Sequence, residues 1–297
     1  MKALLRRLFR LIIHRYPKEY GKHSILTRIY FPLLAPRGGT QQTVTLYNGL
    51  RIHIHPDEYL QAFLYNFGGY EFPTLRFFER FLNEGDAVLD IGAQIGFMSI
   101  VFAKCVGTSG KVFAFEPEQA NYDLLIGNIS LNGFANIEPF HVAIADVRGT
   151  LNLFLGKGEN TGVHSTVFND RTQQSQSIQV PAIPIDELVV ERNIPKVALV
   201  KIDIEGAELK ALRGMRALLE RDKPVMLIEL SAELQNLSGI SIRTFKSVLL
   251  EEFGYEAFTL TEQGTLRPTP TSAFHLNDNV VFIHASVTSS VPAQLFA

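Results

Sequence analysis

The chain has few of the residues that define disulfide-rich, zinc-cluster or membrane-spanning proteins. Its 297 residues include one cysteine, Cys105, so it can form no internal disulfide and no zinc site built from several cysteines. Cys105 lies in an apolar helical pattern, where a buried, unreactive thiol is expected. No apolar run is long enough for a transmembrane helix, and no small-residue cleavage site follows the first apolar stretch. We therefore expect a globular protein in a reducing compartment, the cytoplasm.

Charge is unevenly distributed along the chain. The net charge at pH 7 is −2, but residues 1–30 contain eight basic residues against one acidic residue and are net +7. Residues 3–14 place leucine, isoleucine and phenylalanine on one side of a helix and arginines on the other. Two interpretations remain open. This helix either contacts an anionic membrane surface through residues 1–20, or it docks on its own domain or on a dimer mate.

Residues 86–97 organise the chain, and their pattern is strand, glycine turn, helix. The apolar run 87–89 predicts a short buried strand that ends in the carboxylate of Asp90. Gly92 and Gly96 follow, four residues apart, and then an apolar helical pattern begins. A dinucleotide-binding turn has the spacing Gly-x-Gly-x-x-Gly and no acid at the strand tip. The pattern here instead indicates a ligand with a positive end and no pyrophosphate, such as S-adenosylmethionine (SAM).

Two later strands supply further candidate contacts to a nucleoside. Strand 111–115 ends in Glu116, and an acid at that point can accept hydrogen bonds from both ribose hydroxyls. The third strand, 137–144, carries Ala143 near its end and is followed by Asp146, so both residues would border the adenine. Asp146 precedes an Arg-Gly pair, and ordinary turn chemistry explains an aspartate there equally well.

The order of strand and helix patterns predicts the fold. From the organising stretch onward they alternate, which indicates a parallel sheet with helices on both faces. The last two strands, 255–260 and 279–284, have no helix between them and predict an antiparallel hairpin at the edge. We therefore expect an α/β, Rossmann-like fold with a mostly parallel seven-stranded sheet. A helical extension and β-hairpin (1–60) would precede the main domain (61–286), and a flexible tail (287–297) would follow.

Several segments together resemble the FkbM family of SAM-dependent methyltransferases. They cover about residues 65–285 and comprise Gly69-Tyr70-Glu71, Val88 to Gly96, Ala114 to Pro117, Asn128 to Asn132, Lys201 to Glu208, Leu212-Arg213-Gly214 and Glu229. The run Lys-Ile-Asp-Ile-Glu-Gly-Ala-Glu makes the resemblance specific, because the Asp-x-Gly turn alone fits any class I methyltransferase. One departure is Gln94, where the family usually has asparagine.

The resemblance implies methyl transfer from SAM to a hydroxyl oxygen on a sugar, glycan or secondary metabolite. The partner would then be a small-molecule or glycan acceptor, and we expect no nucleic-acid partner. The oligomeric state is not predicted. The residues expected to contact the cofactor are Glu71, Asp90, Gly92, Gln94, Gly96, Glu116, Ala143 and Asp146.

Methyl transfer to an alcohol requires one general base, because the hydroxyl loses its proton near the transition state. Asp203 is the first candidate, since it follows strand 197–202 beside the first strand; a carboxylate that caps the next helix is the alternative. His164, in a long polar loop, is the second candidate because histidine titrates near neutral pH. Glu205 is a third. No metal is expected, although Asp203, Glu205 and Glu229 have the oxygen ligands that a divalent cation takes.

Two other functions remain open at this point. One is a nicotinamide-dependent sugar-modifying enzyme on a similar sheet, against which the missing third glycine and the acidic strand tip argue. The other is a membrane-associated binding module that keeps the fold without chemistry. Cofactor selectivity separates the first from a methyltransferase, and vesicle binding tests the second.

Overall fold

The protein is described by a computed structural model that covers residues 2–14, 16, 21–36, 38–156, 176–230, 242–269 and 278–297. Its helices are α1 (Lys2–Ile13), α2 (Lys22–Ile25, continued by the π-helical segment Leu26–Leu34), α3 (Tyr59–Phe67), α4 (Phe72–Phe81), α5 (Phe97–Val106), α6 (Gln119–Asn132), α7 (Ile185–Glu191), α8 (Glu208–Arg213), α9 (Arg216–Asp222) and α10 (Ile242–Lys246, continued by the π-helical segment Ser247–Glu252). Two short 3₁₀ segments are Ala285–Ser290 and Ala293–Leu295. Within these ranges, no helix combines the length and the apolar character needed to cross a bilayer.

The strands are β1 (Gln42–Thr45), β2 (Arg51–Ile54), β3 (Ala87–Ile91), β4 (Lys111–Phe115), β5 (Ile137–Phe140), β6 (Ala143–Ile144), β7 (Gly149–Phe154), β8 (Ser177–Ile183), β9 (Val197–Ile202), β10 (Val225–Leu230), β11 (Tyr255–Leu260), β12 (Leu266–Pro268) and β13 (Asp278–His284). The main sheet has the order β12-β11-β13-β10-β9-β3-β4-β5. The pairs from β10 to β5 are parallel, and β13, β11 and β12 are antiparallel. A hairpin, β1-β2, and a small sheet, β6-β8-β7, complete the strands of the described ranges.

The predicted α/β, Rossmann-like architecture is confirmed, but the main sheet has eight strands rather than seven. The additional strand is β12, which forms because a turn from Thr261 to Thr265 returns the chain along β11. The expected antiparallel pair of β11 and β13 is present at one end of the sheet, where β13 lies between β10 and β11. The predicted third strand also divides into β5 and β6, which join different sheets.

Both faces of the parallel strands are buried. In β3, Val88 packs into one apolar core, whereas Leu89 and Ile91 pack into the other. Side chains of successive strand residues point to opposite faces, so a strand with two covered faces needs an unbroken apolar run. The first core also contains Tyr30 and Ile52, from the segment that precedes residue 60. The hairpin and the segment before it therefore pack on the same core as the main sheet.

Helix α6 binds the outer edge of β2 through two asparagine side chains. Asn128 accepts from the backbone N–H of His53 at 2.6 Å and donates to the carbonyl of Ile95 at 2.8 Å. Asn132 accepts from the N–H of Arg51 at 2.9 Å and donates to its carbonyl at 2.7 Å. These amides take the place of a neighbouring strand, so β2 presents no unpaired backbone groups at these positions.

The expectation of a flexible tail after residue 286 is wrong for the described structure. Val291 and Leu295 are buried, and the N–H of Ala297 donates to the carbonyl of Leu266 at 2.9 Å. The ring of Phe296 packs edge-on against Phe258. The Ser/Thr-rich composition suggested mobility, but the apolar side chains spaced through the last residues supply enough buried surface to order the segment.

Replacing Asn128 with alanine should destabilise the fold by about 1–3 kcal/mol, because a buried N–H and a buried carbonyl lose their partners. Urea unfolding of Asn128→Ala measures this loss. Gln119→Ala, at an exposed position of the same helix, is the matched control and should change stability by less than about 0.5 kcal/mol. Equal stabilities of the two variants would contradict a structural role of the amide.

Candidate active site

A cavity of about 290 Å³ lies at the carboxyl ends of β3, β4 and β9. In the sheet order, β3 is flanked by β4 on one side and by β9 on the other. The strands that follow β3 in the chain are therefore added first on one side of β3 and then on the other. Open α/β sheets bind ligands at such switch points, because the connecting segments diverge and leave a crevice. Residues from the start of α3, the start of α4 and the end of β10 complete the wall.

The turn after β3 is shaped by two close approaches. Gly92 has a φ of +82°, and a Cβ atom there would lie 1.9 Å from the backbone oxygen of Asp203. Gly96 has a φ of +83°, and a Cβ atom there would lie 2.5 Å from Cδ1 of Leu125. Both positions therefore require glycine, for its backbone freedom and for its lack of a side chain. Gly92 lines the cavity, whereas Gly96 lies behind it and positions α5.

Three cavity residues have a left-handed backbone conformation although they are not glycines. Glu71, Gln94 and Glu205 have φ values of +53°, +50° and +52°, and they are three of the five such residues in the described ranges. Each such conformation costs about 1–3 kcal/mol and persists only where the surrounding structure imposes it. The N–H of Gln94 donates to Oε2 of Glu116 at 2.8 Å, which is one such constraint. Backbone strain is thus concentrated at this cavity.

Asp90 is fully buried beneath the cavity and does not line it. Its Oδ2 accepts from the hydroxyl of Ser99 at 2.5 Å, and its Oδ1 lies 3.7 Å from Nζ of Lys201. Burial raises the pKa of Asp90, against the opposing effects of Lys201 and Ser99. The sequence predicts contact between Asp90 and a cofactor ammonium, directly or through water; the side chain has no exposed surface for the direct contact. The carboxylate instead supports the turn from below.

Lys201 joins the two strands that flank the switch point. Its Nζ donates to the carbonyl of Gly92 at 3.1 Å and to Oδ2 of Asp203 at 3.2 Å, and it faces Asp90. Burial lowers the pKa of Lys201, but the carboxylates of Asp203 and Asp90 outweigh burial and raise it overall. This residue was not identified as a site residue from the sequence. Its position in the Lys-Ile-Asp segment could have marked it as a site residue. Its contacts with Asp90 and Gly92 could not be read from the sequence, because these residues belong to β3 and the turn after it.

Besides Glu116, four carboxylates line the same cavity, namely Glu71, Asp203, Glu205 and Glu229. The nearby charge of Asp203, followed by burial and the charge of Glu71, raises the pKa of Glu229 far above its ordinary value. Burial, followed by the charge of Asp203, raises the pKa of Glu71 to about 7. The structure therefore brings together more carboxyl groups than the ammonium of Lys201 can pair, and the raised pKa values of Glu71 and Glu229 reflect this crowding.

Glu116 lies at the tip of β4, where the sequence predicts it, and lines the cavity. Its Oε2 accepts the N–H of Gln94, and its Oε1 accepts the N–H of Glu118 at 2.9 Å. Burial raises the pKa of Glu116 to about 7, although these two backbone hydrogen bonds lower it. The two backbone donors fix the carboxylate in one orientation at the cavity wall, where its remaining lone pairs can accept from a ligand.

The cavity has an apolar wall at the start of β6. Ala143 lines it, as predicted from the sequence, together with Val142, Ile144 and Phe115. Asp146 is exposed and does not line the cavity, so the expectation that it borders an adenine does not fit this placement. The chain turns away after β6 because this short strand pairs with β8 in the small sheet.

His164, the second candidate base, lies outside the described residues. Among the described residues, no group of three or more histidine, cysteine, aspartate or glutamate side chains is arranged to hold a metal ion. Tyr70 and Asn279 line the cavity but were not singled out from the sequence, although Tyr70 stood in the Gly-Tyr-Glu segment. A hydrogen bond from Asn279 lowers the pKa of Glu71 in part.

Comparisons with known proteins find methyltransferases that are similar in sequence. The chain is 30% identical to hexuronic acid methyltransferase AglP of Haloferax volcanii over 137 residues, which are 46% of this chain and 53% of that protein. It is 25% identical to 31-O-demethyl-FK506 methyltransferase FkbM of Streptomyces tacrolimicus over 227 residues, 67% of this chain and 83% of that protein. The match thus spans about half the length of the first of these relatives.

A solved structure, methyltransferase FkbM from Methylobacillus flagellatus, is similar to 69% of this chain and 44% of its own, with 18% identity and a TM-score of 0.44. The model of the methyltransferase FkbM domain matches residues 90–257, which is more than half of the chain and includes the glycine turn, Glu116 and strands β4, β9 and β10. The chain belongs to the FkbM methyltransferase family.

Proposed function

We propose that this protein transfers a methyl group from SAM to a hydroxyl oxygen of a sugar, a glycan or another small molecule. The observation that carries the proposal is the excess of carboxylates at the cavity, where Glu71, Asp203 and Glu229 surround the single buried ammonium of Lys201. Such a site attracts a ligand with a cationic end. SAM carries an ammonium and a sulfonium, and it has no phosphate that these carboxylates would repel.

The other walls of the cavity suit the remainder of SAM. Glu116 would accept hydrogen bonds from the ribose hydroxyls, since its carboxylate is held in place by two backbone N–H groups. Ala143 and its apolar neighbours would contact the adenine. Gly92 has no side chain that would occupy the cavity it lines. When bound, SAM supplies a methyl group that its positive sulfur already activates for attack.

Alignment and deprotonation of the acceptor are then the main tasks of the protein. Positioning two groups in line can contribute roughly 7–11 kcal/mol. Asp203 fits the role of general base, because 33% of its side chain is exposed and Lys201 holds only its Oδ2. The relatives named above include a hexuronic acid methyltransferase and an enzyme whose name specifies a demethylated oxygen, which supports an oxygen acceptor on a sugar or secondary metabolite.

Calorimetric titration of the purified protein with SAM and with S-adenosylhomocysteine tests the cofactor directly. Saturable binding of both, with no binding of NAD, is expected. Preferential binding of NAD would overturn the proposal. A screen of glycans and small alcohols with methyl-labelled SAM then identifies the acceptor class.

Glu116→Gln should weaken SAM binding by about 10- to 100-fold, because a neutral amide replaces a charged acceptor of the ribose hydroxyls. Calorimetry measures the change. The matched control is Glu118→Gln, because Glu118 caps α6 through the N–H of Asn121 and does not line the cavity. If both variants bind SAM as the unchanged protein does, Glu116 does not hold the ribose.

Asp203→Asn should reduce turnover by about 100-fold or more, as expected for loss of a general base, and should lower SAM affinity less than turnover, because Glu71 and Glu229 remain near the cationic end. The measurement is the rate of label transfer to the acceptor found in the screen, compared with the affinity for SAM. Glu205→Gln is the comparison variant at the neighbouring candidate. Turnover that falls only in Glu205→Gln would assign the base to Glu205 instead.

SAM affinity should rise as the pH increases from ~6 to ~7.5, because Glu71 and Glu116 have pKa values of about 7 and a cationic ligand favours their ionised forms. Binding lowers these pKa values, so protons are released; calorimetry in buffers of different ionisation enthalpy detects them. The Glu71→Gln/Glu116→Gln variant should bind more weakly, with a flattened pH profile. A flat profile in the unchanged protein would contradict this linkage.

A further inference from the structure

The outer face of α1 is apolar and uncovered. Large aliphatic side chains on it are 47–77% exposed, and they are Leu4, Leu5, Leu8, Leu11 and Ile12. The π-helical segment after α2 adds Ile29 and Leu33, which are 41% and 62% exposed. Together these seven are most of the eleven exposed large hydrophobic residues in the described ranges. We call these seven side chains the apolar face. An apolar surface concentrated in this way marks an interaction site.

The inner face of α1 carries Arg6 and Arg10 beside Phe9 and Ile13, whereas the four leucines and Ile12 face outward. The guanidinium of Arg10 lies 4.9 Å from the ring centre of Tyr65 in α3. The ring of Phe9 stacks on Tyr30, and Ile13 is buried. Arg6 is half-buried. Burial raises the pKa of the Tyr30 hydroxyl, and the charge of Arg6 opposes this rise. Cation–π and stacking contacts thus hold the helix on the domain without using its leucines.

This orientation leaves the apolar face available for another contact. An amphipathic helix that only docks on its own domain buries its apolar side and exposes its charges. Turning α1 about its axis would bury five aliphatic side chains and return the arginines to water. The observed arrangement does the opposite, so the apolar face is not accounted for by packing within the described chain.

The charges near the apolar face indicate what kind of partner binds it. Lys2, Arg7 and Arg28 are exposed near the apolar face, and residues 1–30 are net +7. A second copy of the chain docked through the same face would bring two such segments together, and like charges oppose that contact. Anionic lipid headgroups have the complementary charge, and acyl chains accept leucine and isoleucine side chains without requiring a shaped groove.

The apolar face is connected to the cavity through one aromatic residue. Phe31, in the same π-helical segment as Ile29 and Leu33, stacks on Tyr59 with ring centres 5.9 Å apart. Tyr59 lies at the start of α3 and lines the cavity. A surface bound to the apolar face would therefore lie close to one wall of the site.

We propose that α1 and the segment Leu26–Leu34 dock the protein on an anionic lipid bilayer, with the apolar face inserted at the level of the headgroups. This inference goes beyond methyl transfer and does not depend on it. The arginines and lysine that remain exposed would contact the headgroups, so the interaction should weaken as salt rises.

Vesicle sedimentation tests the proposal with phosphatidylcholine vesicles that either contain or lack phosphatidylglycerol. The unchanged protein should sediment with the anionic vesicles, less so at high salt and little with the neutral ones. Leu4→Glu/Leu8→Glu/Leu11→Glu should reduce binding by at least about 100-fold, because three side chains lose their insertion. Its melting temperature and SAM titration should match those of the unchanged protein, since all three positions are exposed.

Val147→Glu/Val190→Glu is the matched control, because both valines are exposed hydrophobic residues outside the apolar face. It should bind vesicles as the unchanged protein does. No sedimentation of the unchanged protein with anionic vesicles would overturn the proposal, as would equal binding by the triple variant. A concentration-dependent dimer that only the triple variant loses, without vesicle binding, would show that the face joins two copies. Loss of SAM binding with vesicle binding intact would instead count against the methyltransferase function alone.

Discussion

The ammonium of Lys201 is the contact on which the site depends. It lies between the carboxylates of Asp90 on β3 and Asp203 after β9, and it also donates to the carbonyl of Gly92. One buried cation therefore ties the two strands that border the switch point and holds the glycine turn against the opposite loop. Removing one partner of such a buried network costs about 3–5 kcal/mol, because the remaining charge stays buried without compensation. Gly92 and Asp203 approach closely at the same place, where the N–H of Asp203 donates to the carbonyl of Ile91 at 3.0 Å.

The cavity contains carboxyl groups that Lys201 does not pair with, and these favour a cationic ligand. Glu71 approaches from the start of α4 and Glu229 from the end of β10, so the excess carboxylates come from distant parts of the chain. Burial and repulsion from Asp203 raise the pKa values of Glu71 and Glu229, and a bound cation would favour the ionised form of both. The left-handed backbone of Glu71 and Glu205 indicates that the fold forces these side chains into place before a ligand arrives.

Local sequence patterns were sufficient to predict which strand and turn residues form this site, but not which side chains contact one another. The strand ending at Asp90, the glycines and Glu116 could be placed from the sequence, because apolar runs and turn residues act over a few positions. The burial of Asp90 could not, since it depends on Lys201 more than a hundred residues later. Asp146 was misplaced because β6 leaves the main sheet, and a pairing of distant strands leaves no periodic signal. The ordered tail was missed for the same reason, as its partners Leu266 and Phe258 lie on β12 and β11.

The segment before residue 60 packs on the core of the main sheet, and it also carries the apolar face, which does not pack on the described part of the chain. Its hairpin is held by the amides of Asn128 and Asn132, and Tyr30 lies in the core that also contains Phe102 of α5. Because this segment is anchored by buried contacts, the apolar face of α1 has a fixed position relative to Tyr59 and the cavity. A flexible anchor would place an enzyme near a membrane without orienting it. An anchor that shares a core with the catalytic sheet would also set the direction in which the cavity faces the bilayer.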